Sequence, residues 1–183
     1  MEDRYFLKSE RLGLRLLKEE DAEEYFAWFN DEEICRYNTH HRFPATVESE
    51  KAYIQDVNRD HSNLVFAVIE LATNEHIGIV ALQSINYIDR KAEISNMYGK
   101  KDRWGKGYAT EAYRLLIQHA FSTLNLHRIG AGLMAGSIGA QKTMEHLGFR
   151  EEGRRIDAIY KDGKYHDIIE YGLINGQERP LRE

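Results

Sequence analysis

One stretch decides the fold of this 183-residue chain: Met97-Tyr98-Gly99-Lys100-Lys101-Asp102-Arg103-Trp104-Gly105-Lys106-Gly107-Tyr108-Ala109-Thr110. It follows a predicted strand, residues 91–98, and it opens a run with the apolar spacing of a helix. Closely spaced glycines at the start of a helix leave backbone N–H groups open, and the first helical turn adds about half a positive charge. Such a loop favours an anion, most often a phosphate. The alternative is an ordinary strand-to-helix connection whose glycines serve only turn geometry.

The composition is that of a soluble globular protein, with 42% hydrophobic and 30% charged residues. The length fits a single domain over residues 1–183. A net charge of -5 argues against a nucleic-acid binder that relies on a generally basic surface. The lone Cys35 excludes an intramolecular disulfide and a zinc site built from thiols. No apolar run approaches membrane-spanning length, so we expect a cytoplasmic protein with neither membrane nor nucleic acid as partner.

Working outward from the glycine-rich stretch, hydrophobic periodicity predicts seven strands and four helices. The strands are residues 11–16, 64–69, 77–82, 91–98, 127–135, 149–160 and 165–174. The helices are residues 18–30, a second helix beginning at Thr46, residues 107–123, and residues 138–147 with Ser137 as cap. Continuous apolar runs at 64–69 and 77–82 indicate central strands covered on both faces. Asp162-Gly163 predicts a tight hairpin turn before the last strand.

This element order resembles that of the GNAT acyltransferase superfamily along nearly the whole chain. Trp104-Gly105-Lys106-Gly107-Tyr108-Ala109-Thr110-Glu111-Ala112 is similar to the family's acetyl-CoA diphosphate loop, although Trp104 stands where the pattern prefers Gln or Arg. The helix that leads into Leu147-Gly148-Phe149 resembles the last helix of the family. The ribosomal-protein N-terminal acetyltransferase-like branch is suggested by Ser9-Glu10-Arg11-Leu12-Gly13-Leu14-Arg15, by Lys91-Ala92-Glu93-Ile94 and by Asp162-Gly163-Lys164-Tyr165-His166-Asp167.

The resemblance implies an α+β GNAT fold, with a mixed, mostly antiparallel sheet of about seven strands flanked by about four helices. It implies an N-acetyltransferase that uses acetyl-CoA as co-substrate, needs no metal and acts by direct attack in a ternary complex. The acceptor would be a primary amine, such as a protein N-terminus, a polyamine, an amino sugar or another small amine. A homodimer is a further implication. The alternative from another class is a CoA-binding module of the same fold without catalysis. A nucleotide-binding domain is disfavoured, because the loop lacks the Gly-Lys-Ser/Thr ending of an NTPase loop.

The resemblance also assigns contacts with the cofactor. In the family, the strand before the loop is bulged and splayed, so that its backbone pairs with the pantetheine arm. The implied contacts are Asn96, Met97 and Tyr98 on that strand, Arg103, Trp104, Gly105, Lys106, Gly107, Tyr108, Ala109 and Thr110 at the diphosphate, and Ser137, Gln141 and Lys142 on the last helix. Either Arg103 or Lys106 would add positive charge for the diphosphate.

Acetyl transfer to an amine needs a neutral nucleophile and a route for protons. Glu93 is the candidate general base, because it shares a strand face with Ser95 and Met97; the alternative is a carboxylate facing solvent at a strand end. Asp167 is a second candidate, either as a partner of the substrate ammonium group or, as we favour, as a structural hydrogen-bond acceptor.

Two residues depart from the family pattern. Ser137 stands where many members carry an Asn that holds pantetheine, and Met144 stands where many carry the Tyr that protonates the leaving thiolate. A thioether cannot donate a proton, so the leaving-group acid is unassigned.

The connection between the first two helices, residues 37–43, is predicted to form one wall of the acceptor site, because loops on a rigid scaffold commonly set specificity. Its His40-His41 pair could suggest a metal. Adjacent histidines without a third ligand at a recognisable spacing make a weak case, so the default is an exposed or substrate-facing loop.

Overall fold

The computed structural model describes residues 5–39 and 42–176, which build one eight-stranded sheet with helices on both faces. The strands are β1 (Leu7–Lys8), β2 (Leu12–Leu16), β3 (Leu64–Glu70), β4 (Glu75–Asn86), β5 (Lys91–Tyr98), β6 (Arg128–Met134), β7 (Arg150–Lys161) and β8 (Lys164–Ile174). The helices are α1 (Ala22–Phe29), α2 (Val47–Val57), α3 (Tyr108–Ser122) and α4 (Ile138–His146). His40-His41 lies outside the described residues, so the metal hypothesis for that pair stays untested.

The sheet has the strand order β1-β2-β3-β4-β5-β6-β8-β7. Every neighbouring pair is antiparallel except β5 and β6, which are parallel. This topology confirms the predicted α+β class and the mostly antiparallel sheet. The additional strand is β1, whose two residues pair with Gly13 and Leu14 of β2. Two residues are too few to show the alternation by which the other strands were predicted.

Each face of the sheet packs its own core. On one face, α3 and α4 cover Leu82 and Ile129, and Leu116 of α3 is completely buried there. On the other face, α1 and α2 cover Ala67 of β3, with Tyr25 of α1 buried beside it. Since β3 contributes to both cores, its continuous apolar sequence matches a strand buried on both sides. Among the described helices, none combines the length and the apolar character needed to cross a bilayer.

Local sequence signals set most element ends. The Thr46 side chain accepts a hydrogen bond from the backbone N–H of Ser49 at 3.1 Å and caps α2. Asp162 and Gly163 both have positive φ, 51° and 79°, as the predicted tight hairpin requires. Three boundary predictions are wrong. The strand predicted at residues 77–82 is longer, since β4 spans Glu75–Asn86. The first helix begins at Ala22, because the preceding acidic residues form a separate 3-10 turn, and Ser137 occupies the first position before α4 without a capping hydrogen bond from its side chain.

Candidate cofactor and acceptor site

A gap opens in the sheet between β5 and β6. The two strands pair only at their first residues, Lys91 with Arg128 through Glu93 with Gly130. Beyond Glu93, residues 94–98 of β5 pair only with β4, and residues 131–134 of β6 pair only with β8. These two segments define the strand gap. It widens away from Glu93, which lies at its narrow end, toward the loop that follows β5.

The gap leaves polar backbone groups of β5 without a neighbouring strand. The carbonyl of Tyr98 accepts a hydrogen bond from Trp104 Nε1 at 2.9 Å, so this carbonyl points away from β4. In an antiparallel pair, the outward-pointing backbone groups recur at every second residue. We therefore infer that the N–H and C=O groups of Ile94 and Asn96 point into the strand gap, where they can pair with an extended ligand.

The irregularity next to the gap lies in β4 rather than in β5. Two residues, Ser84 and Ile85, separate Gln83 from Asn86 on β4, opposite a single residue of β5. Ser84 takes the positive φ of 51° at this bulge. The register thus shows no extra residue on β5 itself, where the family resemblance implied a bulge.

The loop after β5 presents open backbone amides at the wide end of the gap. We call residues 99–107 the glycine loop. Gly105 and Gly107 have positive φ of 72° and 80°, and Gly107 precedes α3 without a capping side chain. The first hydrogen bond of α3 runs from Glu111 N–H to the Gly107 carbonyl at 3.1 Å. The amides of residues 108–110 are therefore available to an anion at the positive end of the helix.

The Arg103 side chain is already paired with carboxylates, which argues against the diphosphate contact predicted for it. Its guanidinium group donates to Glu70 at 2.9 and 3.0 Å and to Glu75 at 2.9 Å, and it also contacts Asp102. A diphosphate would have to compete with these partners, so the structure favours Arg103 as a support of the glycine loop. The side chain of Lys106 is exposed at the loop and is better placed to supply positive charge.

Tyr108 also helps to hold the glycine loop in place through Glu70. Its hydroxyl group donates to Glu70. Hydrogen bonds from Tyr108 and Thr73, reinforced by Arg103, lower the pKa of Glu70 to about 2. The loop is thereby held by an ionised, buried carboxylate at the end of β3.

Glu93 lies at the narrow end of the gap, on the sheet face shared with Met97. Its carboxylate sits over Gly130, where any Cβ would overlap it. Partial burial, followed by the negative charge of Glu170, raises the pKa of Glu93, although Arg128 and Arg155 oppose this shift. A raised pKa brings a carboxylate closer to the range useful for a general base.

Asp167 of β8 links the two strands of the β7–β8 hairpin. Its Oδ1 accepts a hydrogen bond from the backbone N–H of Asp157 at 3.0 Å, and its Oδ2 lies 3.3 Å from Arg154 Nη1. Asp157 has a positive φ of 50° inside an irregular stretch of β7. These contacts favour the structural role for Asp167.

The side chains of α4 differ in their burial and contacts. Met144 is buried in the core, whereas the Lys142 side chain is exposed. Gln141 Nε2 donates to the carbonyl of Ala135 at 2.7 Å, which fixes the chain just after β6. Ser137 lies between these elements, beside the open end of the gap.

The connection between α1 and α2 reaches the sheet beside the strand gap. Asn38 Nδ2 lies 3.8 Å from Met97 Sδ, and the ring of Tyr37 would be 3.3 Å from a Cβ placed on Gly136. Lys161 at the hairpin tip donates to the carbonyls of Cys35 and Asn38. The connection thus bridges β5, the end of β6 and the hairpin.

From the sequence, Ser9 and Arg11 were used only as part of a motif that suggests a branch of the family, and Glu111 was given no role of its own. The structure brings them together: Ser9 Oγ donates to Glu111 Oε1 at 2.6 Å, and Arg11 Nε donates to Glu111 Oε2 at 2.7 Å. The influence of Glu170 on Glu93 was also missed. No local pattern signals either contact, because the partners are far apart in the sequence.

One group of metal-ligating side chains occurs within the described ranges: Asp21, Glu24 and His76. Arg15 already donates to both Asp21 oxygens, at 2.7 and 2.8 Å, and His76 Nδ1 lies 3.4 Å from Asp21 Oδ1. The Arg15–Asp21 ion pair ties the residue before α1 to β2, and the His76 ring of β4 lies against it. A reaction without a metal cofactor stays a prediction.

Comparisons with known proteins agree with this geometry. The family described as "Acetyltransferase (GNAT) domain" matches residues 11–150. An N-acetyltransferase of Bacillus licheniformis named p20 is 30% identical over 92% of this chain and 95% of its own length. Spermidine N(1)-acetyltransferase of Vibrio cholerae is 30% identical over 86% of this chain and 90% of its own length. A crystal structure of Vibrio cholerae spermidine N-acetyltransferase with CoA and spermine superposes with a TM-score of 0.83, at 26% identity, covering 91% and 96% of the two chains.

The family match, the relatives and the shared fold lead to the same conclusion. The chain belongs to the GNAT acetyltransferase family and is an acetyl-CoA-dependent N-acetyltransferase.

Proposed function

We propose that this protein binds acetyl-CoA along the strand gap and the glycine loop and transfers the acetyl group to a small cationic primary amine. The observation that carries the proposal is the position of the gap. Its outward-pointing backbone groups on β5 lead directly to the open amides at the start of α3. An extended arm that ends in a diphosphate fits both features. The exposed face of Gly105 adds to the fit, since a Cβ there would have no heavy atom within 4 Å.

The bound cofactor supplies an activated acetyl thioester. Residues of the chain hold the cofactor and accept the proton of the acceptor amine. The amides of residues 108–110 hold the diphosphate, and the outward amides of β5 hold the arm. Glu93 takes a proton from the acceptor amine, directly or through a water molecule. The Glu93 pKa, raised by partial desolvation and by Glu170, makes this carboxylate a stronger base than a fully hydrated one. The leaving thiolate has no assigned proton donor, since Met144 is buried and carries a thioether.

The acceptor wall is formed by the connection between α1 and α2, held over Met97 and Gly136 by Asn38 and Tyr37. We propose polyamines as the first acceptors to test, because a relative with 30% identity is named a spermidine acetyltransferase. The net charge of -5 favours a cationic acceptor as well. A protein N-terminus, which the branch motifs suggest, is the second acceptor class.

A single sample tests the proposal. The thermal stability of the protein is measured with and without acetyl-CoA, and free-thiol release is then followed across spermidine, spermine, an amino sugar and a short basic peptide. A ligand present at 100 times its Kd stabilises the folded state by about 2.7 kcal/mol. We expect a clear upward shift and thiol release that depends on a polyamine.

The outcomes separate the alternatives. A shift without thiol release from any of these amines would mean that the acceptor belongs to another class of amine. Thiol release that occurs with the basic peptide but with none of the other amines supports a protein acceptor. The absence of a shift at saturating acetyl-CoA would contradict the proposal that this chain binds the cofactor. A homodimer and a cytoplasmic location stay predictions.

A further inference from the structure

Arg11 lies directly behind the end of the glycine loop and contacts three residues there: Lys106 of the loop, and Tyr108 and Glu111 of α3. Its Nη1 donates to the Lys106 carbonyl at 3.1 Å, and its Nε donates to Glu111 Oε2 at 2.7 Å. Its guanidinium carbon lies 4.6 Å from the centre of the Tyr108 ring, a cation–π distance. A Cβ on Gly107 would be 3.7 Å from Arg11 Nη2. One side chain from the residue just before β2 thus touches the end of the glycine loop and the first turn of α3.

The hydrogen bond to Lys106 fixes the direction of the next amide. The carbonyl of Lys106 and the N–H of Gly107 belong to one planar trans peptide unit, so they point in opposite directions. Because Arg11 holds the carbonyl behind the loop, the Gly107 N–H points out of the front of the loop. The first amides of α3, which follow directly, are also without intrahelical partners.

Arg11 also compensates a charge that would otherwise oppose an anion. Glu111 belongs to the first turn of α3, and only 19% of its side chain is exposed. Arg11 and Ser9 both donate to its carboxylate. Burial alone would raise the pKa of Glu111, but these hydrogen bonds lower it, so the carboxylate is ionised. Without Arg11, the Glu111 carboxylate would keep the Ser9 hydrogen bond but would have no positive partner, one helical turn from the diphosphate.

We propose that Arg11 is a positioning residue for the diphosphate: it aims the Gly107 amide at the ligand and neutralises Glu111 behind it. This inference rests on the proposed binding of acetyl-CoA at the glycine loop. It assigns Arg11 no contact with the ligand. It predicts that Arg11 affects the affinity for the diphosphate portion alone.

The test compares Arg11→Ala, Arg11→Lys and the double variant Arg11→Ala/Glu111→Gln with the wild-type protein. Arg90→Ala is the matched control. Arg90 is also an exposed arginine that donates to a backbone carbonyl, that of Asn125 at 2.7 Å, but it lies at the opposite end of β5. Calorimetry gives the Kd of CoA. Turnover with S-acetylpantetheine, which lacks the diphosphate, gives kcat/KM for the arm alone.

We expect Arg11→Ala to weaken CoA binding about tenfold or more, which corresponds to one hydrogen bond to a charged group. Its kcat/KM with S-acetylpantetheine should equal that of the wild type. The Lys variant, which keeps the charge but not the planar fork, should recover part of the affinity. The double variant should bind CoA more tightly than Arg11→Ala, because the unpaired carboxylate is gone.

Two results would overturn the positioning role. One is an unchanged CoA affinity in Arg11→Ala. The other is an equal loss with CoA and with S-acetylpantetheine, which would mean general damage to the fold. A wild-type protein that binds no CoA would instead overturn the proposed function, and the positioning role with it.

Discussion

The substitution Gly107→Glu tests the assignment of the glycine loop most directly. Gly107 has a φ of +80°, a conformation that costs an ordinary residue about 1–2 kcal/mol. Space is not the problem, since the nearest atom to an added Cβ is Arg11 Nη2 at 3.7 Å. The new carboxylate would repel each phosphate charge by about 1–3 kcal/mol, taking a separation of roughly 6 Å and an effective dielectric constant of about 20–80. Two charges therefore weaken CoA binding by about 2 kcal/mol or more, roughly 30-fold.

The hairpin supplies a matched control. Gly163 has nearly the same backbone conformation, with a φ of +79°, and an added Cβ there would also meet open space. Gly163→Glu should therefore lose the same unfolding free energy in urea but keep its affinity for CoA. Calorimetric titration of CoA into both variants and the wild type makes the comparison. If folded Gly107→Glu bound CoA as tightly as Gly163→Glu does, the glycine loop would not be the diphosphate site.

Other substitutions probe the base, the pH dependence and the fold. Glu93→Gln should lower kcat by about 100-fold or more while leaving CoA affinity unchanged, as steady-state kinetics and calorimetry will show. Glu170→Gln removes the negative charge that helps to raise the Glu93 pKa, so the acidic limb of the pH–rate profile should move to lower pH; a shift to higher pH would contradict the pairing. Because the pKa of Glu70 falls from 4.5 to about 2 in the folded state, its contribution to stability is complete above 4.5 and is lost as pH falls toward 2. Urea unfolding of wild type and Glu70→Gln should therefore converge in acid. Thr46→Ala should cost about 1 kcal/mol of unfolding free energy through the lost helix cap, and an unchanged urea midpoint would show that the cap contributes nothing.

The sequence by itself determined the features that depend on neighbouring residues. Apolar periodicity located the central strands and all four helices, because burial on one or both faces imposes that spacing. Thr46 and Asp162-Gly163 marked a helix start and a hairpin through side-chain capping and positive φ. The loop motif and the element order also identified the family.

Only the tertiary structure decided which distant groups meet. Arg11 and Glu111 are 100 positions apart, and Arg103 meets Glu70 across 33 positions, so no local pattern could reveal either pair. Where the parallel pairing of β5 and β6 ends is likewise set by strand register, which placed Glu93 at the narrow end of the gap. The pKa of Glu93 then follows from burial and from Glu170, a residue of another strand. Local propensity shapes the elements, whereas long-range packing aligns their side chains into a site.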